Sequence, residues 1–130
     1  LAGAMSAAFA GSAFAADVAV TLTGVNADGG TMLVSLQSRD QFMKPVGAAG
    51  TMAPATAGTM NLTVEDVPPG EYAVMVMHDA DSNWTMTSKD GKRAEGWGHS
   101  GAAGARTFEA MKITVPDAGT SVTVPLDYPR

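Results

Sequence analysis

Apolar and polar residues alternate with a period of two in several short runs along this chain. Val18, Val20 and Leu22 alternate with Ala19, Thr21 and Thr23, the pattern of a strand with one face buried. Thr31 to Gln37 repeats it with Met32, Val34 and Leu36 in phase, and the Asn26–Gly30 turn cluster between the two runs predicts a hairpin. Thr59 to Glu65 alternates again, with Met60, Leu62 and Val64 inward and Asn61 and Thr63 outward. Glu71 to His78 differs, because both of its phases are apolar: Ala73, Met75 and Met77 on one, Tyr72, Val74 and Val76 on the other. Such a run predicts a central strand covered on both sides, with His78 in phase with Tyr72, Val74 and Val76 at its exit.

Turn chemistry separates the runs. Asp66-Val67-Pro68-Pro69-Gly70 and Pro116-Asp117-Ala118-Gly119 both read as reversals. Ser38 to Met43 fits one helical turn, capped by Ser38 and closed by Pro45. Residues 47–58 show little period and predict a long, mobile surface connection, while Phe42 is expected to tuck into the sandwich edge. Phe108 to Val115 predicts a strand, or a short turn leading into one, and Ser121 to Leu126 a last strand with Val122, Val124 and Leu126 in phase. With no amphipathic helix and no internal repeat, the pattern predicts an all-β fold. The expected form is a single small antiparallel β-sandwich of six to seven strands, with one long polar loop over residues 78–106.

Composition narrows the function classes. The first residues, LAGAMSAAFAGSAFAA, are small, apolar and uncharged and end in Ala13-Phe14-Ala15, the A-x-A pattern before a signal-peptidase site. Residues 1–16 therefore predict a signal peptide and residues 17–130 one exported domain, periplasmic or secreted. That run is shorter and weaker than a membrane span, so no stable membrane insertion is expected. The net charge is −5 with only 8 Lys and Arg, scattered, which argues against nucleic acid and against anionic lipid. Cysteine is absent, excluding disulfides, thiolate nucleophiles and zinc–thiolate or iron–sulfur sites. The 9 methionines, Met75 and Met77 among them, read most simply as core filler.

Chemistry concentrates between His78 and Ser100. Asp79, Asp81 and Asn83 place oxygen donors at alternating positions, with Asp90 further on, in the manner of a Ca²⁺ loop. Trp84 stands where such a loop wants glycine, and an Asx-rich turn capping its own backbone explains the same residues. His78 and His99 with Asp79, Asp81 and Glu95 could instead hold a transition metal if the loop folds back on itself. Glu95 with Asp79 offers a carboxylate pair, and Ser82, Ser88 and Ser100 are present. No nucleophile elbow or ordered triad surrounds them, so no catalysis is expected. Gly96-Trp97-Gly98 sets an aromatic between flexible residues, as a contact platform or as a plug for the sandwich end.

Val67-Pro68-Pro69-Gly70-x-Tyr72-Ala73-Val74, His78-Asp79-x-Asp81-x-Asn83, Glu95-Gly96-Trp97-Gly98-x-Ser100 and Phe108 together resemble the bacterial family catalogued as domain of unknown function 2141. The resemblance covers essentially residues 17–130. It implies a small exported β-sandwich in the company of transthyretin-like and carboxypeptidase-regulatory-like domains, with no established activity. The chain departs from the family pattern at Asn83-Trp84, where the family has Asn-Gly, and again at Gly91-Lys92-Arg93 and His99-Ser100-Gly101. The resulting expectation is a non-catalytic exported domain that binds an unidentified protein or small molecule of the cell envelope through residues 78–106. A Ca²⁺-binding or other metal-binding role through the His78–Asn83 segment is the alternative.

Overall fold

The computed structural model describes residues 15–44, 47–80, 88–89, 92–93 and 96–128. The expected signal segment lies outside the described residues except for Ala15 and Ala16, and Pro45 lies outside them too. Strand β1 (Ala16–Val25) opens the fold, followed by β2 (Thr31–Gln37), β3 (Ala49–Pro54), β4 (Gly58–Val67) and β5 (Gly70–Asp79). The short pair β6 (Ser88–Lys89) and β7 (Lys92–Arg93) comes next, then β8 (Trp97–His99), a helical turn α1 (Phe108–Met111), β9 (Ile113–Val115) and β10 (Thr120–Pro125).

Two sheets face each other. The larger has five strands, ordered β9-β5-β2-β3, with β8 on the same edge of β5 as β9; the smaller has three, ordered β10-β1-β4. Their inner faces meet in a core of Val18, Val20, Leu22, Met60, Leu62, Val64 and Val124 against Met32, Val34, Leu36, Tyr72, Val74 and Val76. Every inward position named by the alternation in β1, β2 and β4 is buried. The structure is thus the small all-β sandwich expected, with eight strands in its two sheets.

The hairpin expected between β1 and β2 does not form. β1 pairs with β4 and, in parallel, with β10, whereas β2 pairs with β3 and β5. The chain crosses from one sheet to the other through residues 26–30, with Gly29 and Gly30 in the left-handed region. Side-by-side pairing would put the apolar faces of β1 and β2 in one sheet; crossing sets them against each other and removes both from water. The Pro68-Pro69 turn likewise changes sheet between β4 and β5. There the Tyr72 hydroxyl donates to the Pro68 carbonyl at 2.7 Å, holding the corner as the conserved tyrosine does in many sandwiches.

The aperiodic stretch 47–58 is a second departure. Ala49–Pro54 is a regular edge strand, antiparallel to β2 from Leu36↔Ala49 to Thr31↔Pro54. Its inward residues, Ala49, Thr51 and Ala53, are too small or too polar to give a hydrophobic period, so main-chain bonding to β2 defines it rather than side-chain pattern. The expected turn at Ser38 is present as a 3₁₀ turn, Arg39–Gln41, whose Gln41 Oε1 accepts from the Ser38 amide at 3.2 Å and hydroxyl at 3.1 Å. Phe42 packs edge-on against Phe108, with ring centroids 5.8 Å apart.

Candidate functional site

The two candidate histidines stand on opposite faces of the larger sheet. His78 points inward with Val74 and Val76 and is buried. Its Nε2 lies 2.6 Å from the Gly29 carbonyl, which can only accept, so Nε2 carries a proton. Nδ1 lies 2.7 Å from the Tyr128 hydroxyl, which in turn accepts from the Asn26 amide at 3.1 Å. Both ring nitrogens are therefore spent on tying the 26–30 crossing and residue 128 to the end of β5. Burial holds the Tyr128 phenol above its ordinary pKa, the Asn26 amide opposes this, and Asp28 adds to the rise. This His78 is a structural residue, and a metal held jointly with His99 is incompatible with the two faces.

His99 faces the other way. The β5–β8 ladder sets it directly opposite Met75, and sets Trp97 opposite Met77. Gly98 between them turns inward, where a Cβ would lie 2.6 Å from the Pro125 carbonyl; one at Gly96 would meet the Tyr128 ring at 2.2 Å. The Gly-Trp-Gly spacing thus has a steric cause: small residues lie against the last strand and its exit, and the ring projects outward. Trp97 is half-buried on the outer face and does not plug the sandwich end.

Ser100 completes the motif from inside. Its hydroxyl accepts from the Val74 amide at 2.9 Å and donates to the Met111 carbonyl at 2.6 Å, and its own amide donates to the Val74 carbonyl at 3.0 Å. Fully buried and bonded on both sides, it joins α1 to β5. Asp79, paired in register with Thr31, is also fully buried. Asp81, Asn83, Asp90 and Glu95 lie outside the described residues, as do Ser82 and Trp84. Among the described residues, no three His, Asp or Glu side chains gather as a Ca²⁺ or Zn²⁺ site would require.

The outer face of the larger sheet was not legible as a site. On this side of β5, Ala73 lies beneath Phe108 and Met111, and Asp79, in the same phase at the far end of the strand, is fully buried as well. Between these two positions Met75 and Met77 are partly buried. Met75 packs against the Ala73–Phe108–Met111 cluster in keeping with a core-filling role, whereas Met77 keeps part of its side chain in water without belonging to that cluster. The ladders place Met52, Leu33, Met77 and Trp97 in one row across four strands. Met52 is 56 % and Met43 63 % exposed, and these residues line an open groove of about 780 Å³ together with Ser35, Thr51 and Lys44. The outer face of the smaller sheet has a different character: Thr123, Thr21 and Asn61 form the corresponding row, with Thr21 Oγ1 donating to Asn61 Oδ1 at 3.0 Å. The available signal was the apolar character of both phases of β5. Only the folded sheet shows which of these side chains stay partly in water.

The molecule is a small two-sheet β-sandwich with a polar outer face on one sheet and a methionine-rich outer face on the other. The chain belongs to the bacterial family described as uncharacterized protein conserved in bacteria, DUF2141, whose family profile matches residues 20–123. Comparison with curated proteins and with solved structures finds no match.

Proposed function

We propose that this protein is a non-catalytic binding or accessory domain of the cell envelope, whose contact surface is the outer face of the five-stranded sheet together with the adjoining 78–106 segment. The observation that carries the reading is the row Met52, Leu33, Met77 and Trp97, which leaves large apolar side chains partly in water on one sheet while the other sheet presents Thr, Ser and Asn. Burying such a row against a partner removes apolar area from water, and methionine adapts its shape to the surface it meets. The small, uncharged segment before Asp17, ending in an A-x-A pattern, supports export. Ser100 engages both of its hydroxyl functions in main-chain bonds, which supports a structural use for the serine of the motif.

Methionine-methyl NMR of the full chain tests the reading, with fractionated envelope extract as titrant. The methyls of Met52 and Met77 should broaden or shift while those of the buried Met32 and Met60 hold still. Responses confined to residues away from this face would overturn the assignment of the surface.

A further inference from the structure

Met75, Met77, His99 and Trp97 occupy the four corners of one ladder cell on the outer face. Met75 opposes His99 and Met77 opposes Trp97, so all four side chains leave the sheet on the same side. Opposed Cβ atoms in an antiparallel pair stand about 5 Å apart, and positions i and i+2 about 7 Å apart. A methionine side chain has three side-chain torsions and can bring its sulfur over such a cell. The imidazole is already oriented. His99 Nδ1 lies 2.9 Å from the Ser100 carbonyl, an acceptor only, so the neutral ring carries its proton on Nδ1 and presents the Nε2 lone pair. Beside it, the Trp97 ring centroid is 5.4 Å from that of His99.

We propose that Met75, Met77 and His99 form a binding site for a soft monovalent cation of the Cu(I) and Ag(I) class, with the Trp97 ring as one wall. Thioether sulfur and imidazole nitrogen select soft, polarisable ions, whereas Ca²⁺ and Mg²⁺ require hard oxygen donors. Two of the three donors are uncharged thioethers, so the set suits a soft monovalent ion, whereas Zn²⁺, which takes thiolate, imidazole and carboxylate ligands, finds only one of these here. An indole face attracts a cation held against it. Met75, half-buried against the Phe108–Met111 cluster, and Met77, half-buried beside it, keep the cell partly shielded from competing water. The site lies apart from the inward-facing His78, and it rests on reading this face as a binding surface, to which it adds one ligand class.

The test uses purified full-length chain and the metals alone. Ag⁺ is titrated in chloride-free buffer with methionine-methyl and histidine-nitrogen NMR as readout, and Cu(I) is titrated anaerobically against a competing chelator. The methyl carbons of Met75 and Met77 and Nε2 of His99 should shift together at an equimolar amount of metal, with Met32 and Met60 unmoved. Met75→Leu, Met77→Leu and His99→Gln should each weaken binding by about tenfold or more. The leucine variants conserve volume and keep the fold testable by their thermal melts. Equal shifts at the exposed Met43 and Met52, or leucine variants that bind as tightly as the parent, would overturn the site. A silent metal titration beside a positive response to envelope extract would overturn the metal site alone. Silence in both would count against the binding surface itself.

Discussion

The Tyr128 hydroxyl stands 2.7 Å from Nδ1 of His78, fifty residues earlier in the chain, and this contact closes one end of the sandwich. The hydroxyl also accepts from the Asn26 amide, while His78 reaches Gly29 through its other nitrogen. Three distant segments, the 26–30 crossing, the end of β5 and the residues after β10, are held by one partly buried polar chain centred on His78. Such a chain is stabilising when complete and costly when one member is lost.

Tyr128→Phe retains the ring that packs on Gly96 but removes the oxygen, leaving His78 Nδ1 and the Asn26 amide without this partner. The expected loss is about 1–3 kcal/mol of unfolding free energy. Urea denaturation monitored by circular dichroism measures it, and a change near zero would show that water replaces the hydroxyl at no cost.

Ser100→Ala should be destabilising to a similar degree, about 1–3 kcal/mol, because the Val74 amide and the Met111 carbonyl lose their buried partner together. Hydrogen exchange at the Val74 amide gives a local readout. Faster exchange there, with little change in β1 and β4, is the expected pattern.

Two glycine substitutions separate crowding from backbone conformation. Gly98→Ala drives a Cβ to 2.6 Å from the Pro125 carbonyl and 2.7 Å from the Val124 side chain, so β8 must shift. A loss of about 2–4 kcal/mol is expected, in the range for overpacked interiors. Gly104→Ala has open space around it but keeps φ at +78°, and should cost only about 1–2 kcal/mol. Paired denaturation curves decide between them; equal losses would mean that the last strand yields.

Burial raises the phenol pKa of Tyr72, and burial is also the first cause of the rise at Tyr128. A raised pKa means that the folded state favours the neutral phenol more than the unfolded chain does. The associated stability is complete below the ordinary phenol value of about 10 and is lost as pH rises through the higher folded value. Thermal melts from neutral to strongly alkaline pH should show a midpoint that begins to fall above about pH 10. The double variant Tyr72→Phe, Tyr128→Phe should flatten the fall, and an unchanged slope would assign it to other groups.

Much of the fold could be read from alternation alone. Val18, Val20, Leu22, Met60, Leu62 and Val64 declare their inward faces because a period-two pattern maps directly onto the pleat, whatever the partner strand. The Pro-Pro-Gly turn and the cap at Ser38 were equally local, since they depend on dihedral preference and on neighbouring side chains. Ala49–Pro54 was not legible, because alanine and glycine give no hydrophobic signal and that strand exists through its bonds to β2.

What the chain alone determined was therefore the class of fold, the inward residues and the segment in which polar groups and aromatics gather. Tertiary structure decided which strands pair, and so which side chains on the outer face of the larger sheet stay partly in water. Alternation assigns residues to two faces but says nothing about what lies against either one. Met75 and Met77 share the phase of Ala73, yet Phe108 and Met111 cover only Ala73 fully. His78 and His99 illustrate the same limit from the side of chemistry. Both lie in the one polar segment, but the β5–β8 register sends one into the core beside Tyr128 and the other outward beside the methionines.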